Sequence, residues 1–205
     1  MNIASIAWPS PVTLCGVRGT LAPLMLDHTE ALAEAACDGE LWKLWYTKIP
    51  HPNDMQAEVE RRLRLQASGS MLPFVIIDNR TGKVVGATSY MNIDASNRRV
   101  EIGSTWHAQS AQRTGINTDC KFLLLRHAFE QLRCIAVEFR THFFNQQSRR
   151  AIERLGAKLD GVLRSHQLGP DGTLRDTVVY SIIAAEWPTV KAHLDWLMQK
   201  PRPYG

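Results

Sequence analysis

Apolar positions recur along this chain in two periods, and each change of period marks a new element. Val12 to Arg18 reads as a short strand. Asp27 to Cys37 reads as an Ala- and Glu-rich helix with Asp27 as its cap. The aromatic run Leu41-Trp42-Lys43-Leu44-Trp45-Tyr46 is a helical turn or loop, after which Pro50 and Pro52 break the chain. Asn53 or Asp54 then opens a helix through Arg64 to near Ala67, ending at Gly69. Strand-like segments follow. Pro73 to Ile77 and Val84 to Met91 flank the turn signal Asp78-Asn79-Arg80-Thr81-Gly82-Lys83, and Arg99 to Trp106 comes after Asp94-Ala95-Ser96-Asn97. From Ile116 to Leu132 the period is helical, placing Leu124, Leu125, Ala128, Phe129 and Leu132 on one buried face. Ile135 to Arg140 is a β-branched strand, and Asn145 to Leu155 a helix closed by Gly156. Leu159 to Gln167 and Thr173 to Ile183 form a hairpin around Gly169-Pro170-Asp171-Gly172, before a last amphipathic helix from Glu186 to Gln199 and a tail from Pro201.

Connection lengths convert this order into a topology. Consecutive strands joined by short polar turns pair antiparallel, whereas the strands at Arg99 and Ile135 are joined by a whole helix and should run parallel. The expected fold is α+β, a mixed and mostly antiparallel sheet of about seven strands with helices on its faces.

Composition adds bounds. The chain has 205 residues, 44% hydrophobic and 21% charged, which suits one domain with an ordinary core. No apolar run approaches the ~20 residues of a membrane helix. Met1 to Pro11 lacks a basic segment followed by an apolar block, so a secretory leader is not expected. The net charge of +4 is too modest to favour a nucleic-acid partner, and the cluster Arg61-Arg62 with Arg64 sits among Glu58 and Glu60 as a solvated helix face would. Cys15, Cys37, Cys120 and Cys134 have no zinc spacing, and no histidine pair has ligand spacing, so no metal is expected. A reduced, cytoplasmic setting is the simplest account of the scattered cysteines.

The chemistry concentrates in one stretch. Glu101-Ile102-Gly103-Ser104-Thr105-Trp106 is a strand, and Gln112-Arg113-Thr114-Gly115-Ile116-Asn117 is a polar turn opening the helix with Lys121-Phe122-Leu123-Leu124-Leu125. A turn of this kind points main-chain N–H groups at one spot, backed by the positive end of a helix dipole, and is a place to hold phosphate. Gly115 permits close approach because it lacks a Cβ, and Arg113 or Lys121 could add positive charge. Glu101 points opposite to Val100 and Ile102 on its strand. It is either a base or the partner of an arginine such as Arg98 or Arg99.

These residues resemble a family. The order of elements, the turn from Gln112 to Asn117, and Asn145-Gln146-Gln147-Ser148 with Arg149, Ala151-Ile152 and Leu155-Gly156-Ala157 are similar to the GNAT-type N-acetyltransferases, in particular the ribosomal-protein alanine (RimJ/RimL-like) branch. The resemblance spans nearly the whole chain and implies one domain over 12–187, with 188–205 as a helix end and tail packed on it. The family pattern is Gln/Arg-x-x-Gly-x-Gly/Ala; Gln112 and Gly115 match, and Asn117 replaces the last small residue.

The resemblance implies acetyl-coenzyme A as cosubstrate, transfer to a primary amine (a protein N-terminus or a small amine), and a splay between the fourth and fifth strands that receives the pantetheine arm. It implies Glu101 as base and Ser148 as acid, since the position where many relatives carry a tyrosine falls near Ile152. It implies cofactor contacts from Ser104, Thr105, Trp106, Gln112, Arg113, Thr114, Gly115, Ile116, Asn117, Asn145 and Arg149, and an acceptor pocket near Trp42, Tyr46 and Tyr90 with His51. Two competing readings stay open: a module that binds an acyl-coenzyme A without transferring it, and a basic nucleic-acid protein. The last helix, with Trp187, Leu194, Trp196 and Leu197, invites a homodimer.

Overall fold

The computed structural model describes residues 8–169 and 171–200; Pro170 in the expected last hairpin turn and the tail from Pro201 lie outside them. Eight strands form one sheet: β1 (Leu14–Cys15), β2 (Gly19–Pro23), β3 (Met71–Asp78), β4 (Val84–Asp94), β5 (Arg99–His107), β6 (Ala136–His142), β7 (Lys158–Leu168) and β8 (Leu174–Ile183). Their spatial order is β1-β2-β3-β4-β5-β6-β8-β7. Every neighbouring pair is antiparallel except β5 and β6, whose connection carries helix α3 (Ile116–Arg126), as a crossover requires. The extra strand arises at the start. The segment expected as one strand from Val12 to Arg18 breaks at Gly16, whose N–H donates to Gly19 O at 3.0 Å, and the chain folds back as β1 and β2.

Two helices, α1 (Thr29–Cys37) and α2 (Met55–Ala67), cover one face over the β3–β4 region. Asp27 does not cap α1; it sits in a 3₁₀ turn, and His28 Nδ1 accepts from Met25 N there. On the opposite face lie α3, α4 (Gln146–Arg154) and α5 (Trp187–Gln199). The sides follow from alternation: Tyr90 on β4 reaches α3 through Leu124 O, and Tyr180 on β8 reaches α4 through Glu153. Between the layers, Leu21, Phe74, Ile76, Leu124, Leu125, Val137, Phe139 and Ile182 are fully buried.

The helix at Ile116 stays α-helical only to Arg126 and continues as a π-turn from His127 to Gln131. Asn145 caps α4 through its Oδ1, which accepts from Ser148 N at 3.0 Å. Cys120 and Cys134 are buried, and burial pushes their thiols up to about 12 and about 11. Trp187 and Leu194 on α5 do not form an outward face. They pack into this protein's own core, Trp187 stacked on Phe129 at 5.2 Å, and Trp196 alone of the expected set is exposed.

Helices α1 and α2 do not extend over β6, β8 and β7. That part of the sheet is bare on the α1/α2 side and forms an open groove of about 410 Å³ lined by Arg99, Glu138, Arg140, Asp160, Val179 and Ser181, among others.

Candidate active site

The one parallel pair of strands is paired over only three positions. β5 and β6 are in register at Arg99–Ala136, Val100–Val137 and Glu101–Glu138, and there the ladder stops. β5 continues to His107 paired only with β4, and β6 continues to His142 paired only with β8. The facing edges of both strands are thus left without each other's hydrogen bonds.

A bulge in β5 contributes to the divergence. Ala87 pairs with Trp106 and Ser89 with Gly103, so two β5 residues, Ser104 and Thr105, stand against Thr88 alone, and Ser104 takes a φ of 48°. The bulge is held from both faces. From the α2 side the buried Arg62 guanidinium donates to Ser104 O at 3.4 Å and to Ser89 Oγ at 3.4 Å, its charge met by Glu58 at 2.7 Å. From the α3 side Lys121 Nζ donates to Thr105 Oγ1 at 2.6 Å and to Thr88 Oγ1 at 3.3 Å. Two expectations are corrected here. Arg62 is not part of a solvated face, because it continues the buried stripe Met55-Val59-Arg62. Lys121 does not reach toward a phosphate, because it lies on the sheet-facing side of α3, where burial lowers its amine to about 7. Burial likewise lowers the neighbouring His107 to about 3, with Lys121 adding repulsion, and its Nε2 is buried without a partner among the described residues.

At the closed end of the gap sits Glu101, which is 6% exposed. Its Oε2 accepts from Asn92 Nδ2 at 2.6 Å and lies 3.6 Å from Arg140 Nε, so its arginine partner is Arg140 and not Arg98 or Arg99. Its Oε1 carries no hydrogen bond among the described residues, and it lies in space that only a glycine leaves, since a Cβ on Gly103 would stand 2.8 Å from it. Burial raises the Glu101 pKa above the usual carboxylate value, while Arg140 and the Asn92 amide pull the other way.

At the other end the chain turns through a 3₁₀ turn at Gln109–Ala111 into α3. Gln112 Nε2 donates to His107 O at 3.2 Å and Thr114 Oγ1 to Ala111 O at 2.7 Å, which fixes the turn's shape. Arg113 has a φ of 63° and Gly115 a φ of 98°. The first helical bond is Asp119 N to Gly115 O, so the N–H groups before it have no i−4 acceptor, and those of Thr114 and Gly115 bond to no described residue. Asn117 Oδ1 is buried without a partner among the described residues. A turn of free N–H donors around a left-handed glycine fits a pyrophosphate, and the unzipped strand edges fit an extended chain bearing amides.

Across the gap α4 begins. Ser148 is half-buried with no bond to its hydroxyl among the described residues. Arg149 is engaged by the protein: Nε donates to Tyr180 OH at 3.1 Å, and the guanidinium lies 5.1 Å from the Phe143 ring centroid. Tyr180 faces α4 and is buried, away from the open groove. The acceptor-side residues divide. Tyr90 is a correction: it is fully buried on the α3 face, its OH donating to Leu124 O at 2.6 Å, because it pairs with Ile102 and shares that residue's side of the sheet, opposite to Glu101. Trp42 packs on His51 at 5.1 Å. Tyr46 packs on Trp45, and Trp45 crosses to the end of β6, edge-on to His142 at 5.1 Å and near Phe144 at 6.0 Å.

An open mixed sheet unzipped between its parallel strands, beside a left-handed glycine turn at a helix N-terminus, is the architecture of the acetyltransferase (GNAT) fold. Residues 18–158 match the acetyltransferase (GNAT) domain family, and the chain belongs to it. It is 35% identical over 106 residues to the candidate ribosomal N-acetyltransferase YdaF of Bacillus subtilis, an alignment spanning 52% of this chain and 57% of the relative. A GCN5-related N-acetyltransferase structure from Brucella melitensis superposes with a TM-score of 0.81 at 30% identity, covering 92% of this chain and 86% of that one. Mycobacterium smegmatis RimJ, solved with coenzyme A disulfide, shares the fold, with a TM-score of 0.78 at 22% identity over 92% and 96% of the two chains. Among the described residues no helix is long and apolar enough to cross a membrane.

Proposed function

We propose that this protein binds acetyl-coenzyme A in the gap between β5 and β6 and transfers the acetyl group directly to a primary amine. The interrupted ladder carries the reading: three paired positions, then two free edges leading from Glu101 to the N-terminus of α3. The turn from Gln112 to Asn117 holds the pyrophosphate by main-chain N–H groups, and the edges at Ser104, Thr105 and Trp106 meet the pantetheine amides. Asn145, Ser148 and Arg149 border the same gap from α4.

The amine arrives on the bare face as an ammonium ion. Glu101 takes a proton from it, directly or through one water, through the unoccupied Oε1. The freed nitrogen attacks the thioester carbonyl, and main-chain N–H groups at the splay stabilise the oxyanion. Collapse breaks the carbon–sulfur bond; the Ser148 hydroxyl gives its proton to the departing thiolate and regains one from the nitrogen, which sheds its second proton as the amide forms. No covalent enzyme intermediate is needed. A protein N-terminus is one acceptor of this chemistry, a small amine another.

Calorimetric titration and a thiol-release assay test the scheme together. Acetyl-coenzyme A should bind, and amines should release free thiol. Glu101→Gln should lower kcat by roughly 10²–10⁴-fold with little change in coenzyme affinity. No heat of binding, or binding without thiol release on any amine or short peptide, would refute it.

A further inference from the structure

On the acetyl-transfer reading, the bare face of the sheet also says which amines are accepted. Most charges around the cleft are already matched. Arg99 pairs with Glu138, and Arg140 lies 2.9 Å from Glu138 and 3.6 Å from Glu101. Asp160 accepts from Ser181 Oγ at 3.0 Å, and Asp94 is taken up by Ser96 and Asn97.

Arg175 is different. Alternation along β8 puts it on the same face as Thr177, Val179 and Ser181, the face that carries Glu138, Arg140 and His142 on β6. It stands at the open end of the gap, next to the His142–Thr177 pair, and is half-buried. Its Nε donates to Thr177 Oγ1 at 3.2 Å, its two Nη groups hold no partner, and it forms no ion pair among the described residues. Its positive charge acts to lower the pKa of both Glu101 and His142. A guanidinium withdrawn from water with its fork unused is poised for a carboxylate, whose two oxygens match that fork.

We propose that Arg175 receives a carboxylate carried by the acceptor, so that the substrates are amines bearing an acid group, held as zwitterions with the ammonium at Glu101 and the carboxylate at Arg175. The aromatic wall of Trp45, His142 and Phe144 borders the same end and packs against the carbon skeleton between the two charges. Two sources present this chemistry: a free amino acid, and a peptide N-terminus followed by an acidic residue.

Steady-state kcat/KM with acetyl-coenzyme A, measured on two matched pairs, tests the assignment. The pairs are alanine against alaninamide, and Ala-Asp-Phe-amide against Ala-Asn-Phe-amide. The carboxylate-bearing member of at least one pair should be preferred by roughly ten- to hundredfold, mainly through KM. The pair that responds identifies the source. Arg175→Met should erase the preference and Arg175→Lys restore part of it, with KM for acetyl-coenzyme A unchanged in both. If the Met variant does not fold by circular dichroism, Arg175→Gln replaces it. Equal rates within both pairs, or a preference that survives loss of the guanidinium, would overturn the assignment while leaving acetyl transfer intact. Coenzyme binding without transfer to any of the four probes would remove the enzymatic reading and this one with it.

Discussion

Glu101 and Lys121 are both buried ionisable groups within a few residues of the same bulge, yet their surroundings set them to opposite tasks. Glu101 keeps one oxygen unoccupied, and its raised pKa makes it a better proton acceptor at neutral pH than an ordinary carboxylate. Lys121 hydrogen-bonds only to hydroxyls among the described residues, and burial lowers its amine to about 7. Between about pH 7 and the ordinary lysine value near 10.4, the unfolded chain holds a proton that the folded protein has released, so this residue makes stability rise with pH across that window. Below it, the folded protein bears the full cost of a buried charge. Lys121→Met leaves the Thr88 and Thr105 hydroxyls bonded to each other at 2.7 Å and orphans neither. Thermal unfolding should therefore find the variant more stable by about 1–3 kcal/mol near pH 6, with the advantage shrinking toward pH 10. A gap that is constant with pH would show that Lys121 is not the titrating group.

At the scale of elements, the proposed coenzyme site depends on the turn into α3. Gly115 sits at a φ of 98°, where a β-branched residue is strained. Gly115→Val should cost about 1–3 kcal/mol, at roughly 2–4 °C of melting temperature per kcal/mol. It should weaken acetyl-coenzyme A binding by more than about tenfold, because the N–H groups of the turn are re-aimed. Calorimetry on the folded variant checks this, and unchanged affinity would remove the turn from the binding site. Asn145 is a second case where an element's end and the site coincide: its cap bond to Ser148 N sets the first turn of α4 and so the position of the Ser148 hydroxyl.

For the molecule as a whole, the governing feature is a sheet whose two halves are joined by three paired positions. One half is covered on both faces, the other on one, and the groove opens where the cover ends. Main-chain amides of Ile102 to His107 that face the gap lack the protection that a paired strand confers. Hydrogen exchange should show them faster than those of β3, and slowed by at least about tenfold when acetyl-coenzyme A is added. Protection already complete without coenzyme would mean that the gap is closed in solution.

Periodicity and turn chemistry were sufficient to place nearly every helix and strand, because local apolar spacing decides which face of each is buried. The turn that opens α3 was legible for the same reason: a glycine within a polar segment ahead of an apolar helix is a local signal. Arg62 and Lys121 also left a trace, as charges falling on the apolar stripes of α2 and α3. Tyr90 shows where local reading stops. Its side of the sheet depends on its register with Ile102, which is set by pairing between strands. The same holds for the approach of Trp45 to His142, for Arg140 as the partner of Glu101, and for Arg175 at the mouth of the cleft. Each joins residues from distant parts of the chain, and only the bulge, the crossover and the order β6-β8-β7 bring them to one face. The amino-acid sequence by itself determined the elements and the glycine turn that opens α3; the tertiary structure alone decided which side chains share the open face beside the gap, because that depends on strand register across it.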